Sequence, residues 1–345
     1  MKYLPSLFAL TSMILLLVMG DTVNTSVLSS LELCVTRVIP PLFPCMVLSS
    51  VIISMNLTEP LYRRLPTEKW FGLPRCAAPV LITGILCGFP VGAAGCAQLV
   101  RENRISRKDA AGLCAVSSAA GPAFVIGSVG QWWTKEYGLI LWLTQVVFSL
   151  FSAAFVLRGS GETCPTESDS LPAVPCLPVC FCKAVASAAS SCLTVTAYVT
   201  FFGTAAEVLS RLIPPFTPLF SVIPEFSRGA AFGARTGGMY GIIMTGAAVG
   251  FSGISVLMQT ASFLVPENIS LRPMLVTKIA AMAVSSAVSA VYYAARKPAP
   301  SGLPVSGSVF SLPAAFAVIF LLGLLADTAK RLHKRLKRTE NRMKP

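Results

Sequence analysis

Two helix-breaking motifs lie inside membrane-length apolar runs, Cys87-Gly88-Phe89-Pro90-Val91-Gly92-Ala93 and Ala119-Ala120-Gly121-Pro122-Ala123-Phe124, separated by a short basic stretch. Glycine and proline at such positions free backbone groups that hydrocarbon cannot satisfy. The breaks persist only where protein or a water-filled cavity covers them. They read as a midplane binding site, the arrangement of secondary transporters built from repeats.

Composition sets the class. Hydrophobic residues make up 54% of the 345 and charged residues 12%, against about 25% charged in an average soluble domain. The chain reads as an all-α polytopic membrane protein. Its net charge of +13 resides in short loops and in a tail from Lys330 to Lys344 that follows the last apolar run. That tail is a positive-inside anchor and a candidate contact for anionic lipid. No aromatic residues are interleaved with its charges, so nucleic acid is not expected as a partner. Cys34, Cys45, Cys87, Cys96, Cys114 and Cys192 are scattered singly and read as small buried hydrophobes. Cys164, Cys176, Cys180 and Cys182 match no common zinc spacing, and the one histidine, His333, is in the tail, so no metal or cofactor is expected.

Spanning-length runs can be drawn at about 4–20, 27–55, 111–131, 137–157, 181–211, 240–265, 271–295 and 308–328. The first could be mistaken for a secretory signal, but no small-x-small site ends it; it reads as a spanning helix, with an uncleaved signal-like role as the alternative. Segment 77–100 lies between two basic loops, one with Arg63, Arg64, Lys69 and Arg75, the other with Arg101, Arg104, Arg107 and Lys108. Both loops read as cytoplasmic, so this segment is expected to be a re-entrant hairpin turning at Gly88-Phe89-Pro90. A second re-entrant element, 224–239, entering from the opposite face, makes the tail cytoplasmic. The expected fold is about eight spanning helices plus two re-entrant hairpins in inverted repeats. The parts are a first helix (1–30), a first repeat (31–158), a linker (159–180), a second repeat (181–297), and a last helix with its tail (298–345).

The halves share an F-x-x-G-A pattern, Phe89 to Ala93 and Phe226 to Ala230. Gly121, 32 residues after Phe89, can be set beside Gly253, 27 after Phe226. Broken helices offer amide donors and carbonyl acceptors to a ligand. Gly88, Gly92, Gly121 and Gly253 therefore permit close approach of a ligand or only tight helix crossing. Phe89, Pro90 and Pro122 shape the breaks; Ser117 and Ser118 satisfy freed carbonyls or face the cavity. Glu225 and Arg228, three apart, share a face if the segment is helical. They either pair with each other, or Arg228 contacts a carboxylate or phosphate with Glu225 as its orienting partner or as a proton-coupling acid. Gln259 reaches substrate or another helix, Arg235 is expected near the headgroups, and Pro40, Pro41 and Pro44 kink the second span or act as a hinge. No membrane-depth histidine, paired carboxylates or phosphate loop supports catalysis.

The stretches Ile39 to Pro44, Gly84 to Ala93, Ser118 to Gly130 and Gly250 to Gln259 resemble the bacterial sporulation integral membrane proteins of the YlbJ/SpoVV type, which carry nucleoside-recognition (Gate) regions. The resemblance covers about 30–295. It implies a transporter-like protein in the cytoplasmic or forespore membrane of a spore former, associated with movement of dipicolinate. Ala94 stands where the family pattern often has lysine, and serine or alanine stands where it has asparagine before Gly121. The expected partners are therefore a small-molecule substrate and the lipid bilayer. The alternatives are a nucleoside or nucleobase carrier, and a non-transporting scaffold acting through its basic tail.

Overall fold

A computed structural model describes residues 3–55, 75–156 and 176–300. The last apolar run (308–328), the tail, most of the linker and Arg63, Arg64 and Lys69 lie outside the described residues. Among the described residues every regular element is helical. Five stretches are long and apolar enough to cross a membrane: Arg107–Trp132, Lys135–Ala153, Leu177–Leu212, Gly238–Glu267 and Arg272–Arg296. A sixth arises if the bent pair Ala9–Val18 and Gly20–Val38 is one span. These dimensions and compositions make the chain a helical integral membrane protein.

The N-terminal region differs in detail from the expected runs. Helix α1 (Leu4–Val18) ends at Met19, and the chain turns through 93° into α2 (Gly20–Leu33). At 15 residues α1 extends about 22 Å, short of the roughly 30 Å hydrocarbon thickness. A π turn, Cys34–Val38, joins α2 to α3 (Ile39–Ser54) without interruption. Pro40, Pro41 and Pro44 supply no amide hydrogen to Thr36, Arg37 and Pro40, so the irregular turn sits where regular bonds are missing.

Next come α4 (Ala78–Cys87) and α5 (Val91–Arg101), packed as a pair, then α6 (Arg107–Ser117). The Cys76 thiol reaches the Arg104 carbonyl at 3.5 Å, so the outer ends of α4 and α5 lie together. The chain breaks at Ser118–Gly121 and resumes as Pro122–Phe124, a π turn Val125–Val129 and Gly130–Trp132. Helix α7 (Lys135–Val156) completes the first half.

The second half opens on α8 (Leu177–Leu212), about 54 Å long, which packs along α2 and α3. Helix α9 (Thr217–Val222) and α10 (Phe226–Thr236) form another pair, followed by α11 (Gly238–Phe251), α12 (Gly253–Leu264) and α13 (Arg272–Arg296). Helices α11 and α12 are separated by Ser252 alone, in the left-handed conformation.

Polar ties mark the two ends of the bundle. At one, Arg101 pairs with Glu267 at 3.5 Å and Arg107 donates to the Glu267 carbonyl. At the other, Arg296 pairs with Glu136 at 3.1 Å, Trp133 Nε1 donates to Thr245, and Tyr137 bonds Ser289 at 2.7 Å. These contacts hold α7 against α11 and α13, with the buried Trp133 and Tyr137 filling the seam.

Candidate functional site

The two helix pairs end in tips that meet at the two breaks. At the first tip Gly88 has φ +78°, and a Cβ there would lie 2.5 Å from the Gly121 nitrogen. The Phe89 amide donates to the Ala119 carbonyl at 3.0 Å. Pro90 follows a cis peptide bond and takes the N-cap position of α5. At the second tip the Ile254 and Ser255 amides donate to the Ile223 and Pro224 carbonyls at 2.8 and 2.9 Å. Gly253, at φ +79°, would place a Cβ 3.0 Å from the Phe226 nitrogen. Part of the freed backbone of each break is thus paired with the neighbouring tip.

The two tips also touch each other. The Phe226 ring sits edge-on against Phe89, centroids 5.2 Å apart, and against Phe124 at 4.9 Å. This trio forms an apolar floor contributed by both halves of the chain.

Glu225 and Arg228 stand on that floor but do not join their side chains. Glu225 caps α10: one carboxylate oxygen accepts from the Arg228 backbone amide at 2.7 Å and from the Ser227 hydroxyl. A negative group is favoured there by the helix dipole. Its other oxygen, Oε1, is buried without a hydrogen-bond partner, although the residue is only 1% exposed. The Arg228 guanidinium instead pairs with Glu207 on α8, which also holds Arg211 at 2.9 Å. The two side chains therefore do not form the mutual ion pair, because capping turns the carboxylate towards its own backbone.

Around them lies a cavity of about 1070 Å³. Hydroxyls of Ser26, Ser29 and Ser30 from α2, Ser210 from α8 and Ser221 from α9 line it, with Arg37, Glu207, Arg228 and Arg235. It runs from Glu225 out to the exposed Arg235. A smaller chamber of about 80 Å³ shares Arg37, Val199, Glu225 and Ser227 with it and adds Phe89, Gly121, Phe124, Phe226 and Gln259. Gln259 donates to Ser255 of its own helix at 3.1 Å while lining this chamber.

Phe89, Gly121, Glu225, Arg228 and Gln259 therefore line two adjacent spaces that share Glu225 as a wall. Gly92 and Ser117 do not: a Cβ on Gly92 would lie 2.6 Å from the Ser117 Oγ, so these two residues form the α5–α6 crossing. Pro122 starts the helical stretch after the break, where its missing amide hydrogen is not needed. The Ser118 carbonyl accepts from Lys278.

Lys278, Glu207 and Arg37 were not singled out by sequence. Lys278 and Glu207 are charged residues set inside the apolar runs 271–295 and 181–211, a signal that membrane energetics marks as functional or paired. Arg37 donates to Gln131 at 3.0 Å and so ties the turn Cys34–Val38 to the short helix Gly130–Trp132. No family model, curated protein or solved structure matches this chain.

Proposed function

We propose that the protein is a secondary transporter for a small polar or anionic solute, with the adjacent cavities as its binding site. The observation that carries this reading is the buried Glu225 carboxylate with one unpartnered oxygen, set where a hydroxyl- and arginine-lined cavity meets the two tips and both breaks. A donor on a ligand entering the cavity would satisfy this oxygen, whose burial without a partner otherwise costs stability.

In this reading α4–α5 and α9–α10 are re-entrant hairpins entering from opposite faces, and the halves are inverted repeats. Several features support it. The α4–α5 pair begins and ends beside the Arg101–Glu267 end of the bundle. The α9–α10 pair begins beside the end of α8, where Thr217 bonds the Ser210 carbonyl, and ends at Gly237, from which α11 starts beside Tyr293. The stretch α6 to Trp132 and the stretch α11 to α12 both run the length of the bundle, each broken midway. With the basic Arg101–Lys108 loop cytoplasmic, the large cavity opens to the opposite face.

The resemblance to the sporulation membrane proteins makes dipicolinate the leading substrate, in the cytoplasmic or forespore membrane of a spore former. An aromatic dicarboxylate suits an aromatic floor beneath Arg37, Arg228 and Arg235. One observation favours a nucleoside or nucleobase instead: Glu225 Oε1 and Gln259 share the aromatic chamber, and together they offer the acceptor and amide groups that a base edge uses.

The test is uptake of labelled dipicolinate into proteoliposomes, with a nucleoside mixture as competitor. Saturable uptake that nucleosides leave unchanged supports the dicarboxylate; nucleoside uptake supports the second reading. Glu225→Gln keeps an acceptor for the cap and is expected to lower uptake by about tenfold or more while the protein stays folded. Folded protein that moves neither solute overturns the transporter.

A further inference from the structure

Lys278 is 4% exposed in the second turn of α13, and no ion pair to it exists among the described residues. An ammonium has three hydrogens and accepts nothing. Two hydrogen-bond acceptors and one aromatic ring surround it here, and each belongs to a different irregular element. The Ser118 carbonyl, at the end of α6, accepts one. The Ser252 hydroxyl, at the end of α11, accepts another at 2.9 Å, and this same hydroxyl donates to the Val249 carbonyl in the last turn of α11. The Phe89 ring, at the tip of the α4–α5 pair, lies with its centroid 5.3 Å from Nζ, within cation–π range.

Both α6 and α11 run 11 residues or more and present their C-terminal ends at this point. Each such end carries roughly half a negative charge, so two together balance about one cation. Half-helix ends that converge with free carbonyls at a break are the usual protein ligands of a coupling cation in carriers with discontinuous helices. Beside them lies a void of about 10 Å³ lined by Gln145, Ser149, Ser152 and Lys278, about the size that one water occupies. Oxygen donors, the field of two helix ends and a neighbouring water-sized space amount to the equipment of an alkali-cation site.

We propose that the junction of the two breaks is a monovalent-cation site whose occupant is the chain's own Lys278 ammonium. The lysine stands where a free sodium or potassium ion would otherwise sit, and it holds α6, α11 and the first tip together without one. The site itself follows from the contacts above. Only its consequence for coupling, that solute movement requires no alkali cation at this junction, rests on the transporter reading.

Thermal unfolding of the purified full chain in detergent tests this without any transport. The chain is compared in sodium chloride, potassium chloride, methylammonium chloride and N-methylglucamine chloride at equal ionic strength. The wild type is expected to show the same Tm in all four. A saturable rise with sodium or potassium means that an inorganic ion fills such a site, and overturns the proposal. Lys278→Ala vacates the site and is expected to lower Tm in N-methylglucamine by roughly 5–10 °C, and to recover at least half of that with sodium, potassium or methylammonium. Lys278→Met fills the space with an apolar chain and is expected to fall without recovery in any salt. An alanine variant as stable as wild type, or one that no small cation restores, overturns the proposal. If the alanine variant extracts unfolded in N-methylglucamine, extraction in the other three salts decides: folded protein in any of them supports the site, and none in all three sinks it.

Discussion

The tips of the two helix pairs solve one packing problem with different chemistry. The first, Cys87 to Pro90, carries no acidic or basic residue and meets its break through a glycine and a backbone hydrogen bond. The second, Ile223 to Arg228, presents a carboxylate, a hydroxyl and a guanidinium. The reason lies in the breaks. The first spans four residues, Ser118 to Gly121, and needs outside help: Gln145 accepts from the Ala120 amide at 3.0 Å, Lys278 serves the Ser118 carbonyl, and Phe89 serves Ala119. The second is Ser252 alone, closed by a left-handed turn whose amide returns to the Ala248 carbonyl at 2.9 Å. With its backbone already satisfied, the second tip has side chains free to face the cavity. The first tip thus meets its break through backbone alone, whereas the second turns polar side chains toward the cavity.

That contrast can be broken by substitution. Gly88→Ala combines a left-handed backbone with a Cβ 2.5 Å from the Gly121 nitrogen, and neither backbone can yield. It should cost about 3 kcal/mol or more and leave little monodisperse protein on size exclusion. Gly253→Ala, with nearest contacts of 3.0 and 3.1 Å, should cost visibly less; equal losses would mean that the first junction is no tighter than the second. Arg228→Ala leaves Glu207 with Arg211 only. For a pair this partly exposed the expected loss is about 2 kcal/mol, between buried and surface values, and a joint Glu207→Ala change should recover part of the Tm but not uptake.

Gln145→Leu strips the Ala120 amide of its acceptor and should cost about 1–2 kcal/mol in thermal unfolding, with uptake affinity little changed. A large affinity loss there would move ligand recognition into the first half. The smallest effect belongs to Arg235→Ala, exposed at the cavity rim: less than about 0.5 kcal/mol in stability, with any effect on uptake confined to a weaker dependence on ionic strength.

Much of the framework was legible because glycine and proline act locally. The turn at Gly88-Phe89-Pro90 and the break before Pro122 follow from residues that cannot continue a helix, whereas the second break falls at Ser252, beside Gly253 rather than at it. The shared F-x-x-G-A pattern was less exact: Phe89 precedes the N-cap of α5, whereas Phe226 follows that of α10, so the two phenylalanines meet ring to ring rather than occupying equivalent helical positions. The relation of Glu225 to Arg228 was misleading for a similar reason. Their spacing suits a helical ion pair, but Glu225 precedes the first helical residue and its carboxylate bends back to cap it.

The sequence by itself determined that this is a helical membrane protein and where its helices break, since hydrocarbon thickness and the missing proline amide act on consecutive residues. Only the tertiary structure decided which groups fill the gaps. Lys278 lies 160 residues from Ser118 and 26 from Ser252, and Arg228 finds Glu207 on a different helix. A buried charge takes whatever counter-group folding brings within hydrogen-bonding distance, because leaving it alone in a low-dielectric interior costs several kcal/mol. That choice depends on which helix faces cross, a property of the packed bundle that no local spacing encodes.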